Sequence, residues 1–527
     1  MNPAINSEWA ECAIAMAILA PLVGAIGIQL TGRWPNVRET VTMISAFTAF
    51  YFVQSLLPMV YGTPIDTLMP SNGAGPIEYV AIKNVLPNVD LAFQVEPLGM
   101  LYALVAAGLW IPTSLYAVGY MRGHDEDNQT RFFTCFALAI FAALGIAFSK
   151  NLFTLFLFYE ILTFSTYPLV THYGDEEAKR AGRIYMGILV TTSVAFLLFA
   201  VLLTLNFADT LDFKPGGILN GKVDGITVPI LLGLFAFGTG KAALMPFHKW
   251  LPNAMVAPTP VSALLHAVAI VKAGVFTVLK VIVYIFGIDF LTTTNASEWL
   301  MWVAAFTLMS SSIIALTKDN LKARLAYSTI SQLAYITLGA AIATKAAIAG
   351  AAMHIAMHAV GKITLFFCAG AIYVALHKKY ISQMNGIGRK MPFTISAFFL
   401  GSICIIGLPP MGGSWSKWYL CLGSLDAGHT VFVFVLMISS LLSIGYLMPV
   451  VVRAFFFEPD PDDHHGHDDH GHAGTTQGQE KTGFWANIQE APALCVGPLC
   501  LTAVGCVALF FFAPAIFDLV KTITGVN

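Results

Sequence analysis

The stretch KAALMPFHKWLPNAMVAPTP, residues 241 to 260, sets Lys241 in an apolar run and then interrupts that run with Pro246, Pro252, Pro258 and Pro260. A second stretch, GLPPMGGSWSK at 407 to 417, repeats the pattern with Pro409, Pro410 and Lys417. Proline removes a backbone donor and clashes with the preceding turn, so both stretches read as broken helices. A charge within a bilayer costs at least about 2.5–3.5 kcal/mol on insertion scales, which turns it toward a polar pathway rather than lipid. Broken helices in corresponding halves of a membrane chain point to a transport site.

The surrounding sequence has the composition such a site needs. Of 527 residues, 57% are hydrophobic and 11% charged, with mean hydropathy +0.72, whereas soluble domains carry about 25% charged residues. With about 20 apolar residues per crossing, segments fall near 9–31, 39–61, 98–120, 131–149, 152–171, 184–206, 227–247, 259–286, 298–317, 323–343, 346–376, 393–424, 430–456 and 490–518. The expected fold is an all-α polytopic membrane protein of about fourteen transmembrane helices. Arg122, Arg131, Lys179, Arg180, Arg183, Lys318, Lys322, Arg324, Lys378, Lys379, Arg389 and Lys390 then gather on one side, and few basic residues fall on the other. The positive-inside rule makes the basic side cytoplasmic and places both termini outside. The first segment follows Glu8 without a basic residue before it, unlike a cleavable signal, so it is expected to remain as the first helix.

Helices 4 to 8 (131–286) and 9 to 13 (298–457) read as two five-helix units. An odd number of crossings inverts the second unit relative to the first, and each break is the fourth helix of its unit. Residues 1–130 precede them with three helices and a long outer loop, 62 to 97, that caps the surface or meets a partner. Residues 484–527 carry the last helix. Between them, 458–483 is rich in His and Asp and reads as a solvated cytoplasmic loop. Its His464, His465, His467, His470 and His472 are weak candidates for loose Zn²⁺ or Ni²⁺ binding, since their spacing fixes no closed tetrahedral site. The eight cysteines all fall in apolar segments, without a CxxC pair or glycine-rich dinucleotide turn. No cofactor is expected, and any electron chemistry belongs to partners.

Charged residues inside the apolar runs carry the chemistry. Glu160 is isolated in NLFTLFLFYEILTFSTYPL, and Lys241, Lys272, Lys362 and Lys417 are the deep bases. Lys280 and Arg453 lie nearer helix ends, where a long stem reaches the headgroups. A buried lysine is pushed toward neutrality by desolvation and back toward charge by a nearby carboxylate, so a movable Lys–Glu pair is a proton switch. His266, His354 and His358 supply relay groups. His354, His358 and Lys362 recur at i, i+4 and i+8, one stripe of one helix face, while His266 and Lys272, six apart, face different neighbours. With Glu160 the only carboxylate deep in the units, a sodium site within the chain is not expected, because hard cations need several oxygen ligands.

FYEILTFSTYPL (158–169), KAALMPFHKWLPNAMVAPTPVSALLHAVAIVKAGVF (241–276), LKARLAYSTISQLAYITLG (321–339), HIAMHAVGKITLFF (354–367) and GLPPMGGSWSKW (407–418) resemble the antiporter-like subunits shared by respiratory complex I and the Mrp-type cation/proton antiporters. The resemblance runs through about residues 95 to 457 and is nearest to the Mrp D subunit. It implies that Glu160 pairs with Lys241 and that the proton path continues through Lys272, His354 and His358 to Lys417. His266 and Lys362 match family positions. The chain departs from the pattern at GGSWSKW, where many members read closer to SGFIGKW, and the long lateral helix of the distal complex I subunit is not expected in it. The implied function is a proton-translocating subunit of a Na⁺/H⁺ antiporter in an inner membrane, partnered by other membrane subunits. The alternatives are the proton module of complex I, a membrane-bound hydrogenase or an inorganic-carbon uptake complex, and a structural anchor that moves no protons.

Overall fold

Proline and apolar runs set the helix ends as expected. The computed structural model describes residues 3–63, 65–69, 77–87, 89–459 and 488–524. Among them, twelve helices are long and apolar enough to cross a membrane, and two shorter apolar helices, Thr227–Gly238 and Pro392–Ile406, fall at the two lysine-bearing breaks. In chain order they are α1 (Pro3–Leu30), α2 (Pro35–Val60), α3 (Pro97–Gly123), α4 (Gln129–Ala147), α5 (Leu152–Val170), α6 (Glu176–Ala208) and α7 (Thr227–Gly238). Then come α8 (Thr259–Phe286), α9 (Glu298–Thr317), α10 (Leu321–Ile342) and α11 (Lys345–Leu376). Last are α12 in two halves (Pro392–Ile406 and Gly413–Asp426), α13 (Thr430–Phe456) and α14 (Ala493–Thr524). The chain is thus a multi-pass membrane protein. The His-rich positions 464 to 472 lie outside the described residues.

Polar side chains at helix starts satisfy backbone donors that have no partner within the helix. Asn151 caps α5 through Thr154 N (2.8 Å), Asn320 caps α10 through Ala323 N (3.0 Å), and Glu96 caps α3 by accepting from Leu98 N and Gly99 N (2.8 and 2.6 Å). Gly407, at φ +89°, ends the first half of α12 in a left-handed turn that a side chain would strain.

The loop 62 to 97 holds more order than its composition suggests. Strands β1 (Glu78–Leu86) and β2 (Val89–Gln94) form an antiparallel hairpin. It is fastened to the α4–α5 turn by Lys150 on Glu78 (2.8 Å) and by Gln94 N donating to Phe148 O (2.7 Å).

α8 and α11 lie at the centre. α11 packs against α8, α10, both halves of α12 and α14, and α8 meets α3, α4, α10 and the α7 break. The most apolar window of α8 is entirely buried. A helix enclosed on every side cannot send a charged stem to the headgroups, which corrects the expectation for Lys280. Its ammonium lies 3.4 Å from Glu96 and donates to Ser149 O (2.8 Å), both side chains of the ion pair being at most 1% exposed. Tyr284 donates to the same carboxylate (2.7 Å). Glu96, at the start of α3, is therefore a deeply buried carboxylate with a permanent cation partner. Arg453 remains half-buried near the end of α13, bonded to Asn385.

Candidate functional site: a line of buried amines and imidazoles

The α7 helix stops at Gly238 and the chain makes one 3₁₀ turn, Gly240–Ala242, which holds Lys241. The break fits because α8 presents Gly274 to it. A Cβ there would sit 2.3 Å from the Lys241 carbonyl carbon and the Ala242 nitrogen, so only glycine allows this approach. Trp250 closes the far side by donating to Gly240 O (3.0 Å). Lys241 is fully buried, and its ammonium donates to Tyr159 O (2.9 Å) and Thr163 Oγ1 (2.6 Å) while lying 3.1 Å from the centre of the Tyr159 ring.

Glu160 follows Tyr159 on α5 but turns to the half-buried side, and one carboxylate oxygen, Oε1, is buried without a hydrogen-bond partner. Among the described residues Glu160 makes no ion pair within 4.0 Å. The Glu160–Lys241 pair that the family resemblance implies is open in this structure.

On α8, Lys272 meets His358 of α11, Nζ to Nδ1. The His358 ring stacks on His354 one turn earlier, with centroids 5.8 Å apart and planes 18° apart. His358 Nε2 has no partner. His354 bonds Ser416 Oγ through Nδ1 (2.8 Å) and Gln332 Oε1 through Nε2 (3.1 Å). Ser416 precedes Lys417, whose ammonium donates to Ile406 O (2.9 Å) and Ser440 Oγ (3.0 Å) and lies 4.7 Å from the Tyr335 ring centre. Lys362 donates to Ser328 Oγ (2.5 Å) and Leu325 O (3.3 Å) on α10. The α11 stripe thus faces three helices in turn: His358 meets α8, His354 meets α10 and α12, and Lys362 meets α10.

His266 stands apart from this line. It sits in a π-helical turn, Leu264–Val268, packed on Phe366, with both ring nitrogens unpartnered. Sequence reasoning missed Tyr159, Tyr335, Ser416 and Ser440. The tyrosines carried a readable signal, since each falls in one of the motifs already singled out, FYEILT and LAYITL.

Neutral groups hold all four deep lysines: a carbonyl, a hydroxyl and a ring face at Lys241 and Lys417, a carbonyl and a hydroxyl at Lys362, and an imidazole at Lys272. Such a set can hold an ammonium without fixing it, and imidazoles placed between amines can accept a proton on one nitrogen and release one from the other.

A family model described as NADH:quinone oxidoreductase/Mrp antiporter, transmembrane, matches residues 149–443. The chain is 33% identical over 383 residues to NADH-quinone oxidoreductase subunit N of Desulforudis audaxviator (strain MP104C), covering 70% of this chain and 74% of that one. It is 30% identical over 524 residues to NADH-quinone oxidoreductase subunit L of Mycobacterium tuberculosis (strain ATCC 25618 / H37Rv), covering 96% and 75%. Its fold superposes on a chain of the Mrp complex from Dietzia sp. DQ12-45-1b with a TM-score of 0.81 at 20% identity, covering 98% and 97%.

Proposed function

Because the chain belongs to the NADH:quinone oxidoreductase/Mrp antiporter family, we propose that it is the proton-translocating membrane subunit of a multisubunit monovalent cation (Na⁺)/H⁺ antiporter. One observation carries this reading. Lys241, Lys272, His358, His354 and Lys417 form a buried line from one helix break to the other, and among the described residues no carboxylate lies within ion-pair distance of the three lysines.

The line suggests how a proton travels. Lys241 holds it against Tyr159 O and Thr163. A swing of the lysine stem toward Glu160 retains the charge, and separation releases the proton along α8 to Lys272. The Lys272 amine faces His358 Nδ1, so the imidazole takes the proton there and offers one from Nε2, which is free. His354, stacked beneath, passes it by way of Ser416 to Lys417. No side-chain hydrogen bond joins Lys241 to Lys272, His358 to His354 or Ser416 to the Lys417 ammonium among the described residues, so those steps need bridging water.

The reading includes two inverted units, α4–α8 and α9–α13, an inner-membrane location, and both termini on the outer side. The tyrosine-ring contact of each break lysine with the second helix of its unit supports the two-unit register. The second reading is the proton module of a complex I-like assembly, favoured by the two NADH-quinone oxidoreductase relatives. Mass spectrometry of chains that co-purify in mild detergent separates the two: redox subunits favour the second, small membrane subunits the first. Glu160→Ala and Lys241→Ala in membrane vesicles test the mechanism. Ion-coupled proton movement is lost in both while the complex still assembles. Wild-type coupling in both variants overturns it, and a change confined to assembly supports the anchor.

A further inference from the structure

One deep lysine takes no part in the proposed line. Lys362 is fully buried on α11, one turn beyond His358, yet among the described residues it makes no hydrogen bond to any member of that line. Its ammonium turns away to α10, onto Ser328 Oγ (2.5 Å) and Leu325 O (3.3 Å). What it meets there continues into α13. Ser328 donates to the Tyr446 hydroxyl (3.0 Å), that hydroxyl lies 2.9 Å from Ser443 Oγ, and Ser443 donates to Ser439 O (2.9 Å). All three hydroxyl side chains are fully buried, and Arg324 fastens the far end by donating to Tyr446 O (3.0 Å).

Counting protons fixes the direction of these bonds, because a hydroxyl has one to donate. Ser443 places its own on a carbonyl, so the Tyr446 proton points to Ser443, the Ser328 proton points to Tyr446, and the lone pairs of Ser328 face Lys362. Every dipole thus turns its negative end toward the ammonium, and hydrogen bonds in such a chain polarise one another. The chain ends on a backbone carbonyl, as does the second bond of Lys362, and a carbonyl accepts a hydrogen bond without taking the proton. The arm holds a proton on Lys362 and offers it no outlet. His358 is built the other way, with Lys272 at Nδ1 and Nε2 free.

A charge kept at Lys362 bears on the line. Side chains four apart on a helix have their Cβ atoms about 5–6 Å apart. The charged or titratable groups that face this part of α11 are Lys272 and His266 from α8, Lys417 from α12 by way of Ser416 and His354, and Arg324 from α10 by way of Tyr446. The phenols and thiols that touch it, Tyr116, Tyr335, Cys404 and Cys506, carry no charge at neutral pH. Among the described residues no carboxylate cancels Lys362.

We infer that Lys362 is the fixed positive charge of the path, a positioning residue rather than a relay, and that Ser328, Tyr446 and Ser443 form the arm that keeps it charged. Its field opposes a second positive charge on His358. A proton accepted at Nδ1 is therefore matched by release from Nε2, and the imidazole returns to neutral. Lys362 neither gains nor loses a proton in the cycle. This inference rests on the chain being a proton carrier.

The test uses the assembled complex in sealed vesicles and reads the initial rate of ion-coupled proton movement against pH. Lys362→Arg decides between the two roles, because a guanidinium keeps its proton at every working pH. A fixed charge survives the exchange, with at least about a third of the wild-type rate and an unchanged pH profile, whereas a relay that cannot release its proton stops. Lys362→Met is expected to move the acid limb, where the rate falls as pH drops, about one unit toward alkaline pH, since His358 then keeps its proton. Tyr446→Phe, which takes the acceptor from Ser328, is expected to move the limb the same way by about half a unit. A part in packing alone changes the amount of complex, or the rate at all pH values equally, and leaves the limb in place. Assembled Lys362→Arg without transport overturns the inference, as does an unmoved limb in Lys362→Met; an unmoved limb in Tyr446→Phe overturns the arm. If the arginine variant does not assemble, the two limb positions decide. Lys241→Ala serves as the reference. If it and Lys362→Arg both abolish transport, the carrier reading stands and the fixed charge fails; if Lys241→Ala runs at the wild-type rate, the carrier reading itself fails.

Discussion

The two break lysines are held by the same three kinds of group and differ in what stands beside them. Lys241 has a carbonyl (Tyr159), a hydroxyl (Thr163) and a ring face (Tyr159). Lys417 has a carbonyl (Ile406), a hydroxyl (Ser440) and a ring face (Tyr335). The residue after Tyr159 is Glu160, and the residue after Tyr335 is Ile336. One cradle has a carboxylate next to it and the other an apolar side chain. Removing an ammonium from water costs several kcal/mol. Charge-assisted hydrogen bonds return about 1.5–3 kcal/mol each, and a desolvated cation–π contact about 2 kcal/mol. Those magnitudes are comparable, so a carboxylate that swings in or out can decide whether the lysine keeps its proton. Among the described residues only the first cradle has a carboxylate in the next position, and on the proposed path that suits it to start the transfer and the second to finish it. Lys280 marks the contrast: Glu96 lies at ion-pair distance, and that lysine is fixed in place.

The largest expected effect comes from Lys280, where the counter-charge is permanent. Glu96→Gln leaves a buried ammonium uncompensated, and the loss is expected to reach about 3–5 kcal/mol, read as a lower unfolding midpoint of the purified complex. No comparable loss follows Lys417→Ala, which strands no opposite charge. Next come the break lysines themselves. Lys241→Ala and Lys417→Ala are each expected to slow vesicle transport about 100-fold or more, as loss of a proton-transfer group does; an effect in one alone would show that only one break lies on the path. Giving the second cradle what it lacks sharpens the comparison further. Ile336→Glu places a carboxylate beside Tyr335 and is expected to hold the proton on Lys417, slowing transport roughly tenfold, the equivalent of about 1.4 kcal/mol; faster transport would reverse the roles assigned to the two ends. The smallest effect belongs to Tyr159→Phe, which keeps the ring face and loses only the bond from Lys241 N to the hydroxyl (3.1 Å). That costs about 1 kcal/mol, and Tyr159→Leu, which also loses the ring, should cost more.

Much of the architecture was legible because a bilayer demands long apolar runs and proline interrupts them. The breaks at 241–260 and 407–417, the helix order and the deep lysines all followed from those two facts. What escaped depended on neighbours remote in sequence. Lys280 lies near a helix end and looks free to reach the surface, but α8 is enclosed on all sides, and nothing local announces that. Its partner Glu96 ends the loop 62 to 97, which was read only as a surface cap, so neither the hairpin nor the ion pair was foreseen. The helix wheel placed His354, His358 and Lys362 on one stripe, yet could not say that Lys272 would meet His358. The π turn around His266 has no sequence signature, since it arises from how α8 packs.

Gly274 has a mechanical consequence. Because backbone presses on backbone where α8 crosses the α7 break, the break is splinted, and the hinge that its prolines promise cannot flex freely. The motion left to Lys241 is rotation about its own side-chain bonds. Such torsions need no rocking of one helix against another, and the helix break serves as a fixed socket for a moving side chain.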